Sequence, residues 1–142
     1  VSSVGGLFGT AAFVRAISLG GKGGSMVRLS VLARNVTTAL SMALTAMIGG
    51  DISIAASVVV LTGIIGATYG KSLLTYLGIH DPIVRGLAIG CSSQGLGVAS
   101  ISDEPDAFPF AAISMVLTAV SATTLVSIPV VKDALIKLAT GA

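Results

Sequence analysis

From Ile52 to Tyr69, and again from Phe108 to Val131, the chain carries no charged side chain. Apolar runs of roughly 17–25 residues are long enough to cross the hydrocarbon core of a bilayer as a helix. No water is available there to pair backbone N–H and C=O groups, so a single run satisfies them only by coiling into a helix. The expected fold class is therefore all-α, a polytopic integral membrane protein. Composition agrees: of 142 residues, 54% are hydrophobic and 10% charged, against roughly 25% charged in soluble domains. Mean hydropathy is +1.00, which leaves too little polar surface for a chain living in water.

Three further segments bring the expected count to about five spans: Val4 to Leu19, Leu29 to Ile48 and Ile83 to Ile101. The last two are interrupted. One contains Arg34-Asn35-Val36-Thr37-Thr38, the other Ser92-Ser93-Gln94 among Gly86, Gly90, Gly95 and Gly97. An unpaired polar group in hydrocarbon costs about as much as a lost buried hydrogen bond or more, so such centres face protein or a wet cavity. Both segments read as discontinuous helices. Pro109 suits a first helical turn, and Pro129 kinks or ends its helix. A flexible connector is expected at Gly20-Gly21-Lys22-Gly23-Gly24-Ser25.

If all five segments cross once, the connections 20–28 and 70–82 and the stretch after 131 share one face. That face receives Lys22, Arg28, Lys71, Lys132 and Lys137, with Arg15, Arg34 and Arg85 close enough to snorkel towards it. The opposite connections hold Asp51, Asp103, Glu104 and Asp106 and no Lys or Arg. The positive-inside rule makes the basic face cytoplasmic, or stromal in a plastid. Five simple crossings run the two interrupted segments in the same direction, whereas inverted repeats run them oppositely. Either one segment is re-entrant, or the repeat partner lies in a preceding part of the protein. The chain starts at Val1 within an apolar run and reads as a single transmembrane domain, 1–142, from the C-terminal part of something longer.

Enzyme chemistry is not in view. There is no HExxH, Walker A or GxSxG motif, and Gly95-Leu96-Gly97 has neither the preceding strand nor the following basic residue of a phosphate loop. Cys91 is the only cysteine, which excludes an internal disulfide and a cysteine-based metal cluster. No cofactor or metal is expected. Basic residues are scattered singly without interleaved aromatics, so nucleic acid is not an expected partner. His80-Asp81-Pro82 reads as a turn with Asp81 as N-cap and Pro82 at the first helical position.

What remains suits a small, oxygen-rich anion. Arg34 offers a fork of donors to a carboxylate, and Arg85 offers another. Asn35, Thr37, Thr38, Ser92, Ser93 and Gln94 offer partners for hydroxyl and carboxylate oxygens. Backbone N–H groups beside Gly95 and Gly97 suit an anion nest. Each feature has a plainer reading: snorkelling for the two arginines, back-bonding for the threonines, and interhelical bonds for Ser92 to Gln94. Gly63, Gly66 and Gly70 read as packing glycines. No Asp or Glu sits mid-span, so a carboxylate proton relay is not expected.

Three ordered elements resemble the LrgB-like membrane proteins. Ala33-Arg34-Asn35-Val36-Thr37-Thr38-Ala39 is similar to their Pro-Lys/Arg-Ser-Val-Thr-Thr-Pro. Asp81-Pro82-Ile83-Val84-Arg85-Gly86-Leu87-Ala88 resembles their His/Asp-Pro-Ile-Ala-Arg-Gly-Leu-Ala. Gly90-Cys91-Ser92-Ser93-Gln94-Gly95-Leu96-Gly97-Val98-Ala99 resembles Gly-Thr-Ala-Ser-His-Gly-Ile-Gly-Thr-Ala. The stretch Asp103 to Phe110 looks more like plastid members than bacterial ones. The resemblance implies a secondary carrier exchanging glycolate and glycerate across the plastid inner envelope in photorespiration. Bacterial members imply the alternatives, an antiholin-like regulator or a pyruvate-type carrier in a plasma membrane, with glycine faces assembling a homo-oligomer in the regulator. Gln94 stands where the family usually has His, Ala33 and Ala39 replace two prolines, and Val98 replaces a Thr. Without that His, the site can hydrogen-bond a solute but not carry its proton.

Overall fold

A computed structural model describes residues 2–17 and 24–141. Among them are seven helices and no strand: α1 (Ser2–Ala16), α2 (Ser25–Val31), α3 (Thr38–Ile48), α4 (Ile52–Tyr76), α5 (Pro82–Ser100), α6 (Phe108–Ser127) and α7 (Pro129–Thr140). The all-helical expectation holds for these residues. Lys22, the glycines at 20, 21 and 23, and the Leu19 end of the first apolar run lie outside the described residues.

Helices α4 and α6 are long and apolar enough to cross a membrane, and only 17% and 28% of their apolar windows are buried. Val60, Leu61, Ile64 and Ile65 on α4, and Ile113, Val116, Leu117 and Val120 on α6, are exposed. Such surfaces are costly in water and neutral against lipid tails. The helix boundaries follow local chemistry. Pro109 sits in the first turn of α6, which stops at Ser127, and Pro129 opens α7, because proline has no N–H to continue a preceding helix. The Asp81 side chain accepts a hydrogen bond from the Val84 N–H at 3.0 Å, with Pro82 at the helix start, as expected.

The chain divides into two compact units, Val1–Val59 with Ala119–Ala142, and Val60–Thr118. In the first, α1 packs on α7 and α2, and the core includes Leu7, Leu32, Val36, Leu44, Val126 and Leu135. Here the chain reverses between α2 and α3. The Asp51 N–H donates to Ser30 Oγ at 2.6 Å, and a Cβ on Gly50 would meet the Ser30 nitrogen at 2.9 Å. A continuous helix would hold residues 30 and 51 about 30 Å apart. The turn lies at 32–37, where Thr37 takes an extended ψ of 153°. The returning leg, α3, ends at Gly49 in the left-handed conformation (φ 80°).

The second unit contains a sharper reversal inside α5. Gln94 adopts φ 50° and ψ −143°, a break between a leg over 82–93 and a shorter one over 95–100. Gly97 lies against Ser93 and Ile89, with its Cβ position 3.3 Å from the Ile89 carbonyl oxygen. Eight residues of straight helix would separate 89 from 97 by about 12 Å. Leu74, Ile89, Val98, Ile101, Ala107 and Ala111 form the core of this unit. Gly86 and Gly90 face the start of α6, where a Cβ would strike the Ala107 and Ala111 carbonyl oxygens.

This reversal corrects the expected arrangement of charges. The sequence placed 70–82 and 101–107 on opposite faces, but Lys71 Nζ lies 2.7 Å from Asp103 Oδ1 and Arg85 Nη2 lies 2.6 Å from Glu104 Oε1. The connections before and after α5 therefore share one end, because the chain turns back at Gln94 rather than passing through. The basic residues are not segregated from the acidic cluster.

The glycines of α4 act in packing, as read from the sequence. Leu96 sits on Gly63 (2.9 Å to its Cβ position), and a Cβ at Gly66 would overlap the Ser93 side chain. Gly66→Ala is expected to destabilise the protein by about 1–3 kcal/mol, the usual cost of overpacking. Adding Ser93→Gly should recover part of the loss. Gly5→Ala, where nothing lies within 4 Å, should be neutral or slightly stabilising. Thermal unfolding of the three variants in detergent checks the ordering.

Candidate functional site

The two polar interruptions read from the sequence become the turns of two helical hairpins, one in each unit. In the second unit, the break exists because a residue other than glycine is held at positive φ, uniquely so among the described residues. Such a conformation costs on the order of 1–3 kcal/mol and persists only where surrounding contacts over-determine it. Those contacts are on hand: Ser93 is seated on Gly66, Leu96 on Gly63, and Gly97 against Ile89. Ser93 and Gln94 are 4% and 5% exposed, and Gly97 is buried beside them. Ser92 and Gly95 lie on the open side of the turn. The Ser92 hydroxyl donates to the Ala88 carbonyl at 2.7 Å and stands 3.1 Å from Ser93 Oγ. The structure thus brings Ser92, Ser93, Gln94, Gly95 and Gly97 together at one tip.

The tip in the first unit holds the other set. Arg34 is half-buried and its Nε donates to Thr10 Oγ1 of α1 at 3.2 Å. Asn35 is buried against Gly6, whose missing side chain makes room for the amide. Thr37 occupies the N-cap position of α3 without a side-chain cap bond, and Thr38 is its first residue.

Arg85, expected among the anion ligands, lies at neither tip. Its Nε donates to Glu104 Oε2 at 2.8 Å and its Nη2 to Glu104 Oε1 at 2.6 Å. Its Nη1 donates to Thr75 Oγ1 and to the Ile79 carbonyl. The fork is filled by protein groups at the base of the hairpin, tying the end of α4, the start of α5 and the loop before α6. Burial is the physical reason: a guanidinium 7% exposed needs a paired carboxylate to offset its desolvation. The sequence offered a signal for Glu104, since an arginine in an apolar segment demands such a partner. Thr10, by contrast, is one hydroxyl among many and carried no signal.

Glu104 is held below the ordinary glutamate range, first by its hydrogen bonds from Arg85, against the opposing effect of burial. Asp103 is lowered chiefly by its hydrogen bond from Lys71. That second pair is solvent-exposed and screened, so the first is the one that holds the hairpin base.

Long lipid-compatible helices and helical hairpins with polar tips define a class: helical membrane proteins that keep polar centres among protein groups. Comparison with known proteins narrows it. The LrgB-like family model matches residues 1–132, and the chain belongs to that family. It is 38% identical over 138 residues to the plastidal glycolate/glycerate translocator 1, chloroplastic, of Arabidopsis thaliana, covering 96% of this chain and 26% of that protein. It is 33% identical over 92 residues to the uncharacterized protein YwbG of Bacillus subtilis, covering 65% of this chain and 38% of that protein. It is 31% identical over 101 residues to the holin-like protein CidB of Staphylococcus epidermidis, covering 70% and 44%. The chain spans between a quarter and a half of the length of these relatives. No solved structure matches.

The Arg85–Glu104 pair sets a pH dependence. A carboxylate with a lowered folded-state pKa contributes stability that is present above its unfolded value, about 4.3, and lost as pH falls through the folded value. The melting temperature in detergent should hold from neutral pH to about pH 5 and fall below it. Glu104→Ala should be destabilised at neutral pH by roughly 3 kcal/mol, the lower end for a broken buried pair, because the glutamate side chain is 30% exposed. A pH titration of melting temperature for both proteins checks the sign.

Proposed function

We propose that this chain is part of a secondary carrier that exchanges small 2-hydroxycarboxylates, glycolate against glycerate, by alternating access. The observation that carries this reading is Gln94, a buried amide at the tip of a re-entrant hairpin, held in a costly backbone conformation within an otherwise apolar chain. Transporters place solute at such helix breaks, where polar groups meet it without facing lipid. Ser92, Ser93 and Gln94, with the backbone beside Gly95 and Gly97, serve hydroxyl and carboxylate oxygens. Arg34, with Asn35, Thr37 and Thr38, supplies the positive fork of the other hairpin. A neutral amide donates and accepts but does not titrate, so exchange proceeds anion for anion without a proton at this tip. Similarity to the chloroplast translocator supports the substrate class and a place in the plastid inner envelope, serving photorespiration.

Within this reading α1, α4 and α6 cross the bilayer, and the stretches 25–48 and 82–100 re-enter it. The domain is a single transmembrane one, 1–142, of a longer carrier. A reporter fused after Ala142 is expected on the cytoplasmic or stromal side; a protease-protected reporter on the other side would overturn this topology.

One observation favours the second reading, an oligomerising regulator of the holin-like kind. Gly5 and Gly9 lie on α1 with nothing within 4 Å, a small-residue face open to a second copy. The glycines of α4, and Gly86, Gly90 and Gly97 of α5, are in contrast consumed by contacts inside the chain. Proteoliposomes containing the full-length protein should take up labelled glycolate when loaded with glycerate, and Gln94→Ala and Arg34→Ala should each lose at least tenfold in uptake. Absence of exchange in the wild type, together with cross-linking through a cysteine at position 5, would favour the regulator.

A further inference from the structure

Many helical serines and threonines among the described residues return their hydroxyls to a carbonyl three or four residues back. Ser30, Ser57, Thr75, Ser114, Thr123 and Thr140 all do so, at 2.7–3.1 Å. This back-bonding is the usual way to satisfy a hydroxyl in an apolar helix. Two hydroxyls on α3 depart from it. Ser41 and Thr45 are both 0% exposed, and neither Ser41 Oγ nor Thr45 Oγ1 has a hydrogen-bond partner among the described residues. They lie four residues apart, with Thr38 three residues before Ser41, so the three share one helix face. That face begins at the tip carrying Arg34.

A buried hydroxyl without a partner bears its desolvation cost with no return. Alanine at 41 and valine at 45 would keep the packing and remove the cost. The two hydroxyls therefore fit a state of the protein in which acceptors reach them. The sign of the visitor follows from its neighbour in sequence: a tip that presents a guanidinium and no carboxylate selects an anion. We propose that Ser41 and Thr45 form an occluded subsite that donates hydrogen bonds to the carboxylate of the solute, extending the Arg34–Thr38 set along α3. This inference rests on the carrier reading above. Both oxygens are fully buried, so the solute reaches them only in a state of the carrier that exposes this face of α3.

The test uses the full-length protein in detergent, with glycolate as the probe, and compares wild type with Ser41→Ala/Thr45→Val. Without glycolate, the double variant is expected to melt at or above the wild-type temperature. In glycolate titrations of melting temperature, its apparent affinity should fall at least tenfold. Lower intrinsic stability of the double variant would overturn the proposal, because the hydroxyls would then be bonded in the resting protein. So would wild-type affinity for glycolate. A wild type that shows no glycolate response would fail the carrier reading itself, and this subsite with it, an outcome visible before any variant is made.

Discussion

A polypeptide that turns around in an apolar setting must find partners for the backbone groups its helix gives up, and the rest of this structure is arranged around that demand. Both reversals are met from within the chain. At 32–37 the turn is braced by Ser30, whose hydroxyl takes the Asp51 N–H, and by the Asn35 amide lodged against Gly6. At Gln94 the bracing is steric: glycines on α4 provide the seats, and the tip residues fill them. The base of the second hairpin is then closed electrostatically by Arg85 and Glu104. Seat and clasp act at opposite ends of the same leg, which is how one residue is kept at positive φ.

Hydropathy and punctuation made much of this readable in advance. The uncharged runs became α4 and α6, Asp81 and Pro82 opened α5, and Pro129 separated α6 from α7. The two polar interruptions were also found, because Arg34 to Thr38 and Ser92 to Gln94 stand out against apolar flanks. What they do to the path of the chain was not readable. A window over Ile83 to Ile101 has the length of a crossing, and nothing in its composition distinguishes a helix that continues at Gln94 from one that folds back. The backbone angle is decided by Gly66 and Gly63, some thirty residues away in sequence. Topology drawn from charge placement inherited the same blindness, pairing Lys71 with the wrong neighbours. The partner of Arg85 was not readable for a related reason: in one dimension a buried guanidinium looks alike whether its carboxylate belongs to a solute or to Glu104.

Membership of the LrgB-like family joins proteins whose names point to different roles, a translocator and holin-like proteins. Polar tips and tight glycine seats lie within each unit, while Gly5 and Gly9 of α1 are exposed and α4 and α6 carry exposed apolar side chains.

The clustering of charge at the hairpin base has a kinetic consequence. Lys71 and Arg85 stand there with Asp81, Asp103, Glu104 and Asp106, two cations against four carboxylates. With the cations neutralised by Asp103 and Glu104, the remaining field is that of two aspartates. An anion arriving at this end is repelled rather than drawn in, and added salt speeds its arrival by screening that repulsion.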